Sequence, residues 1–592
     1  MNYIFDIECY RNYFLLVLIP VGGGEPLFYE RFNDVVTMDD LSTFDFAKAT
    51  LVGFNSLNYD FPVWGGVYKG MTNAQLKEVS DAIILNGLMP WDVEREFGLL
   101  IPPYDHIDIN QILPLRYSLK IYGGRIHYRR LQDLPIEPGA TITPEQTPEL
   151  RKYCINDCEV TLALYNEVKP QIDLRITMGE QYGLDLRSKS DAQIAEAVIA
   201  SEYQRITGNK LYKPDFDMVP KQYSYKPPSF VLFQTPQMTT LLDDIRQAVF
   251  TIKESNGQVE LPPVMKNAVQ IGQKEYQLGI GGLHSVDGPG SYHADDYYEI
   301  YDIDVAAYYP SIILNAGYYP THIGEVFLDI YKHIVNTRLE AKRCGDKVTD
   351  ASLKIVINGT FGKLGSKWSK VYSPDLMFHV TVTGQLCLLM LIEQLPTYVL
   401  SANTDGITVR VPKGRMDTVR ALVADWERQT GLVMEWTRYR SFCQRDCNNY
   451  LAIKDDGSVK LKGVFAPPNI GKNPVNTVIY RAVKDYFLEG IPAATTINDS
   501  HDINEFTSLR TVKGGAVWGG QVLGKSVRWY HSWLSASTIN YITNGNKVPL
   551  TDASVPLMDL PQKIPFDLDR QWYINEAEKL LGSMDERVKD RA

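Results

Sequence analysis

The run Asp302-Ile-Asp-Val-Ala-Ala-Tyr-Tyr-Pro-Ser-Ile-Ile313 places carboxylates at the end of an apolar, β-forming stretch (Ile300, Tyr301, Ile303, Val305). Pro310 then suits the first turn of a helix through Ile312, Ile313 and Leu314, so the segment predicts strand, turn, helix. A carboxylate held there is either a metal ligand or a cap on the helix that follows. Further on, Leu400-Ser-Ala-Asn-Thr-Asp-Gly-Ile-Thr-Val-Arg410 reads as two short apolar strands around a tight Asn-Thr-Asp-Gly turn, with Asp405 at a hairpin tip. A second fixed carboxylate is what a two-metal site requires. Between them, Lys354, Asn358 and Phe361 recur at i, i+4 and i+7, which puts them on one face of a single helix.

A second set of acids lies far upstream. In Tyr3-Ile-Phe-Asp-Ile-Glu8 the alternation brings Asp6 and Glu8 to one face of a strand, roughly 7 Å apart at the strand rise. They suit a metal ion or a solvated strand face. Asn55-Ser-Leu-Asn-Tyr-Asp60 follows the apolar strand Leu51-Val-Gly-Phe54, and Tyr153-Cys-Ile-Asn-Asp157 opens a helix carrying Val160, Leu162 and Leu164. Asp108, in His106-Ile-Asp-Ile109, is a further acid between strand residues, either structural or supporting.

With 592 residues, 44% of them hydrophobic, the chain can bury several cores, and three to five modules are expected. Seven cysteines, an odd count, and an N-terminus that opens on a strand predict a reducing cytoplasm. The pairs Cys154/Cys158 and Cys443/Cys447 lack the spacing of a zinc site. The longest apolar run, about 386–392, is too short to cross a membrane. A net charge of −11 argues against coating nucleic acid by bulk charge, but leaves room for a local basic channel. Candidate channel residues are Lys120, Arg125, Arg129 and Arg130, then Lys332, Arg338, Lys342 and Arg343, then Lys460, Lys462, Lys525 and Arg528.

Taken together, the stretches around Asp304, Lys354 and Asp405 resemble motifs A, B and C of the family B DNA polymerases, in order and spacing. The resemblance implies that Asp304 and Asp405 bind Mg²⁺, that Lys354, Asn358 and Phe361 face the incoming nucleotide, and that Tyr309 stacks under its sugar. It also implies that Arg338 and Lys342 grip the triphosphate. This sequence departs from the pattern at Ala307, Tyr308, Gly359, Phe361 and, above all, Asn403, which stands where an Asp is usual. The upstream stretches resemble the three motifs of proofreading 3′–5′ exonucleases. That likeness implies four metal ligands, Asp6, Glu8, Asp60 and Asp157, with Tyr153 orienting the attacking water. Lys120 and Arg125, flanking Gly123-Gly124, are expected to hold the frayed strand's phosphates.

Weaker likenesses assign Gly281 and Gly282 to the template backbone, and Tyr450, Lys460 and Lys462 to the primer strand, with Asn448 in a usual Lys position. The implied fold is a mixed α+β and α/β multidomain chain, an RNase H-like exonuclease followed by a right-handed palm, fingers and thumb. Expected boundaries are 1–175 exonuclease, 176–284 connector and template-side elements, 285–320 palm, 321–362 fingers, 363–465 palm and 466–592 thumb. The implied protein is a compact, monomeric phage-type polymerase that takes primer-template DNA and dNTPs. Two Mg²⁺ ions per active site are expected, with Mn²⁺ as an alternative. A processivity factor or replisome proteins are further candidate partners, and no membrane is. A protein-primed polymerase is disfavoured, because 50 residues from Asp304 to Lys354 and 47 from Asn358 to Asp405 leave little room for insertions. A degenerate DNA-binding scaffold is the non-enzymatic alternative, motivated by Asn403 and Asn448.

Overall fold

The computed structural model describes residues 1–585. It divides into two compact units. One contains Met1–Ser190, Pro468–Ile479 and Ala494–Asn575; the other contains Asp191–Pro467, Tyr480–Ala493 and 576–585.

In the first unit a six-stranded sheet is built on the strand Asn2–Tyr10. Tyr13–Pro20, Leu27–Phe32 and Val35–Asp39 extend it as an antiparallel meander, while Thr50–Gly53 and then His106–Asp108 join in parallel on the other side. The strand Tyr13–Pro20 is buried on nearly every residue, as a strand covered on two faces must be. One face packs Ile4, Tyr13, Leu15 and Val17 beneath the helix Thr147–Glu167 through Leu150, Cys154 and Cys158. The other packs Phe5, Ile7, Phe14 and Leu16 against Phe61, Trp64, Leu76 and Val79.

The same unit takes in most of the C-terminal span expected as a thumb. Its four-stranded sheet, centred on Ser508–Trp518 and Gln521–His531, sits against the helix Leu119–Arg125 through Leu509. Arg528, a candidate channel residue, is fully buried. Its guanidinium donates to the carbonyls of Tyr128, Arg129, Leu557 and Met558, and burial pushes its pKa down to about 10. The expected boundary at 175 also shifts, since it falls inside the helix Lys169–Tyr182.

The second unit is organised by a ten-stranded sheet in which Tyr298–Val305 lies between Gly406–Pro412 and Met434–Asp446, antiparallel to both. Val399–Asn403 pairs with Gly406–Pro412 to form the expected hairpin. The helix Tyr308–Ala316 follows the central strand, and Val326–Cys344 with Lys347–Leu364 form a helical hairpin. Asp346 caps the second helix by accepting from Thr349 N.

Pro374–Gln394 is a 21-residue helix, long and apolar enough to cross a membrane. The reading of a short run at 386–392 was therefore too narrow, since Phe378, Val380 and Val382 prolong the apolar surface. Most of this helix is buried in the chain's own core. Leu386, Leu388, Leu389 and Leu391 are fully covered, and each contributes about 1.5–3 kcal/mol.

Candidate active sites

The first site assembles at the end of Asn2–Tyr10. Asp6 and Glu8 project from that strand, Asp60 begins the helix Asp60–Tyr68, and Tyr153, Cys154 and Asp157 lie on Thr147–Glu167. Of the two strand acids, Glu8 is 9% exposed and Asp6 half-buried, so the strand does not present them as a solvated face, and Asp60 is 3% exposed. Ligand atoms of Asp6, Glu8 and Cys154 lie within 4.8 Å of one another. Burial and the neighbouring Asp157 push the Asp6 carboxyl up to about 8, and burial with Asp6 and Asp157 raises Glu8. Asp60 rises through burial, Asp6 and Asp108.

Crowded buried carboxylates favour protonation unless a cation offsets them. Asp60 Oδ1 is buried without a hydrogen-bond partner, so this donor set of hard oxygens fits a divalent metal. Asp108 is resolved as structural. It is fully buried and accepts from the backbone N–H groups of Asn55, Leu57 and Asn110.

Two residues assigned to DNA phosphates are placed otherwise. Lys120 Nζ donates to Tyr153 Oη at 2.9 Å and to the Asp157 carboxylate, so its charge belongs to the acid cluster. Arg125 is 4% exposed, donates to Asn473 Oδ1 at 2.7 Å and the Ile470 carbonyl at 3.0 Å, and stacks on Tyr117. The glycines between them form no phosphate loop. They lie buried in Leu119–Arg125, where a Cβ on Gly124 would meet Leu509 at 2.6 Å.

The second site surrounds a cavity of about 310 Å³ lined by Ala307, Tyr308, Tyr309, Arg338, Asn358, Phe361, Thr404 and Asp405. The sequence groups four of these, Tyr309, Arg338, Asn358 and Phe361, with Asp405. Asp405 sits in the two-residue loop closed by the Asn403–Gly406 pair, as the hairpin reading requires. Thr404 there has φ +44, a strained value for a β-branched residue. Ala307, also left-handed at φ +47, turns the chain from the strand into the next helix.

Tyr309 stacks on Phe361 with centroids 4.7 Å apart, and its hydroxyl donates to the Gly281 carbonyl at 2.8 Å. Tyr308 stacks on Tyr309 with centroids 5.6 Å apart and sends its hydroxyl into the core, bonded to the Gly384 carbonyl. Arg338 crosses the helical hairpin to Asp350 at 2.9 Å. Lys354 is exposed and outside the cavity lining, and Lys342 lies 3.7 Å from Glu435.

Asp304 stands opposite Gly406 in the ladder. A Cβ on Gly406 would collide with Asp304 Oδ1, so the bare backbone makes room for that carboxylate. Burial, Asp302 and Asp405 push Asp304 up to about 6, and burial raises Asp405. These paired acids also fit a divalent ion. Gly406→Ala is therefore expected to displace Asp304 and slow any chemistry that depends on it about 10²-fold, the scale of a ~1 Å misplacement. Comparing turnover of the variant with wild type, at matched thermal stability, checks this.

Lys460, assigned to the primer, instead pairs with Asp302 at 2.6 Å and Asp304 at 3.4 Å. Tyr450 packs on Phe442, and Lys462 is exposed. Gly282, at φ +146, takes a conformation that favours glycine; a Cβ there would lie 2.9 Å from Thr404 Cγ2, so it meets the hairpin tip. Asn403 turns its amide away to the Cys447 carbonyl at 3.2 Å and Asn448 Oδ1 at 3.1 Å. Asp302, Gly406 and Tyr439 received no role from the sequence, although Asp302 shares a strand face with Asp304 by the same alternation that links Asp6 and Glu8.

No family model matches the chain. DNA polymerase 1 of Aeropyrum pernix is 25% identical over 169 residues, 28% of this chain and 17% of that protein. DNA polymerase II of Escherichia coli is 31% identical over 133 residues, 18% of this chain and 17% of that protein. The matches thus span about a sixth of the length of these curated relatives. Among solved structures, the family B DNA polymerase from Pyrobaculum calidifontis aligns with 99% of this chain and 78% of its own, at TM-score 0.41 and 14% identity. In sequence, the chain is similar to DNA polymerases over those short stretches.

Proposed function

We propose that the chain is a template-directed DNA polymerase of the family B type with a separate 3′–5′ exonuclease site. The observation that carries this reading is the cavity in which Asp405, Tyr309, Arg338, Asn358 and Phe361 converge from four separate stretches of sequence. A flat aromatic floor, a cation and an amide beside a fixed carboxylate suit a nucleoside triphosphate. Phosphoryl transfer asks mainly for positioning and charge neutralisation.

Magnesium held by Asp304 and Asp405, or by Asp6, Glu8, Asp60 and Asp157, supplies charge that favours an ionised attacking oxygen and an ionised leaving oxygen. The remaining work falls to the chain. Tyr309, braced by Phe361 and Gly281, floors the sugar pocket and leaves no room for a 2′-hydroxyl. Arg338 offers its guanidinium to the triphosphate, steadied by Asp350. At the N-terminal site Tyr153, whose hydroxyl is held by Lys120, orients a water toward the 3′-terminal phosphodiester.

The test is extension of a primer on a DNA template with Mg²⁺ and dNTPs, run beside degradation of the same primer without dNTPs. Neither reaction occurring would overturn the reading. Sugar choice adds a finer check: Tyr309→Ala should raise ribonucleotide over deoxyribonucleotide incorporation about 10- to 200-fold, the span of a small steric difference. Tyr308→Ala, which removes a core hydrogen bond and supports the Tyr309 ring only from behind, should lower stability and raise the ratio far less. Single-nucleotide incorporation with paired rNTP and dNTP measures both.

A further inference from the structure

Asp302 is 5% exposed, and none of the chemistry above uses it. Its carboxylate accepts from Thr408 Oγ1 at 3.0 Å, Tyr439 Oη at 2.6 Å and Lys460 Nζ at 2.6 Å. The same ammonium stands 3.4 Å from Asp304 Oδ2, so Lys460 is shared unequally and leans toward Asp302. A hydroxyl from each neighbouring strand fixes Asp302 in place, which makes it a rigid anchor for a flexible lysine. Across the site, Asn403 brings no negative charge and spends its amide on the 447–448 loop.

We propose that Asp302 is a positioning residue that holds Lys460 off Asp304, and so supplies the site with the negative charge that Asn403 does not. The inference rests on the reading of Asp304 and Asp405 as metal-binding carboxylates. With Asp302 present, the ammonium is paired nearby, and the Asp304 oxygens stay open to a divalent cation. Without it, Asp304 becomes the nearest anion to Lys460, and a closer lysine competes with the cation through like-charge repulsion.

Binding of Mn²⁺ alone, without DNA or nucleotide, tests this. The full chain would carry Asp6→Ala and Glu8→Ala to disable the N-terminal site, and free Mn²⁺ would be followed by electron paramagnetic resonance. Asp302→Asn, which keeps the shape and removes the charge, should weaken Mn²⁺ binding about 10- to 100-fold, the range for groups that support a metal's ligands. Adding Lys460→Gln should restore most of the loss.

Unchanged binding in Asp302→Asn overturns the proposal, and so does a loss that Lys460→Gln fails to relieve. Should Asp302→Asn fail to fold, Lys460→Gln alone decides, since it is expected to tighten Mn²⁺ and no tightening counts against the role. Asp405→Ala in the same background separates the two readings. It should abolish this binding, and retained binding there refutes the proposed polymerase metal site rather than the part played by Asp302.

Discussion

Asp405→Ala is expected to lower primer extension by at least about 10²- to 10³-fold, the cost of removing one preorganised electrostatic group from a transition state. Degradation of the same primer should continue at the wild-type rate. The hairpin that carries Asp405 is braced by the backbone bond from Val305 N to the Asp405 carbonyl and by the ladder to Tyr298–Val305, neither of which involves the side chain. The truncation therefore removes a carboxylate from the cavity and leaves the fold intact. The acids of the N-terminal site belong to a different sheet and a different compact unit. Extension and degradation assays on one preparation give the comparison, and extension near the wild-type rate would remove Asp405 from the chemistry.

The double variant Asp6→Ala, Glu8→Ala should show the reverse pattern, with loss of 3′-end degradation on a comparable scale and unaltered extension. It has a second readout that needs no substrate. Because the Asp6 carboxyl is raised from 3.8 to about 8 in the fold, the folded chain holds a proton that the unfolded chain has already released between those values. Metal-free wild type should therefore lose stability as pH rises through that window. The double variant, lacking the strand acids, should lose less. Thermal unfolding in a chelating buffer at pH 5 and pH 8 measures the difference, and equal slopes would mean that the acids are not crowded in solution.

Features set by short-range pattern were legible in the sequence. The strand and helix around Asp304, the hairpin holding Asp405 and the shared helix face of Asn358 and Phe361 follow from periodicity and turn residues within a dozen positions. The N-terminal acids were legible for the same reason, one strand face and one helical turn.

Charge pairing was not. Lys120, Arg125, Lys460 and Arg528 all looked like ligands for phosphate, yet each is committed to partners between 29 and 400 residues away in sequence. A lone cation in a sequence carries no sign of whether a carboxylate or a row of carbonyls will reach it. Composition also hid the destination of the C-terminal span, because its sheet docks through a few apolar contacts such as Leu509 on Gly124 that have no periodic signature.

The first compact unit is drawn from three separated lengths of chain, 1–190, 468–479 and 494–575. On a ribosome moving at about 5–20 residues per second, its N-terminal sheet emerges well before the strands that cover Leu119–Arg125. During that interval Ile121, Gly124 and Leu131 lack Leu509, and the carbonyls of Tyr128 and Arg129 lack Arg528. The nascent acid cluster is thus formed early on a scaffold that is finished late. A premature stop near residue 465 would release a chain with every acid of both sites and an unfinished first unit.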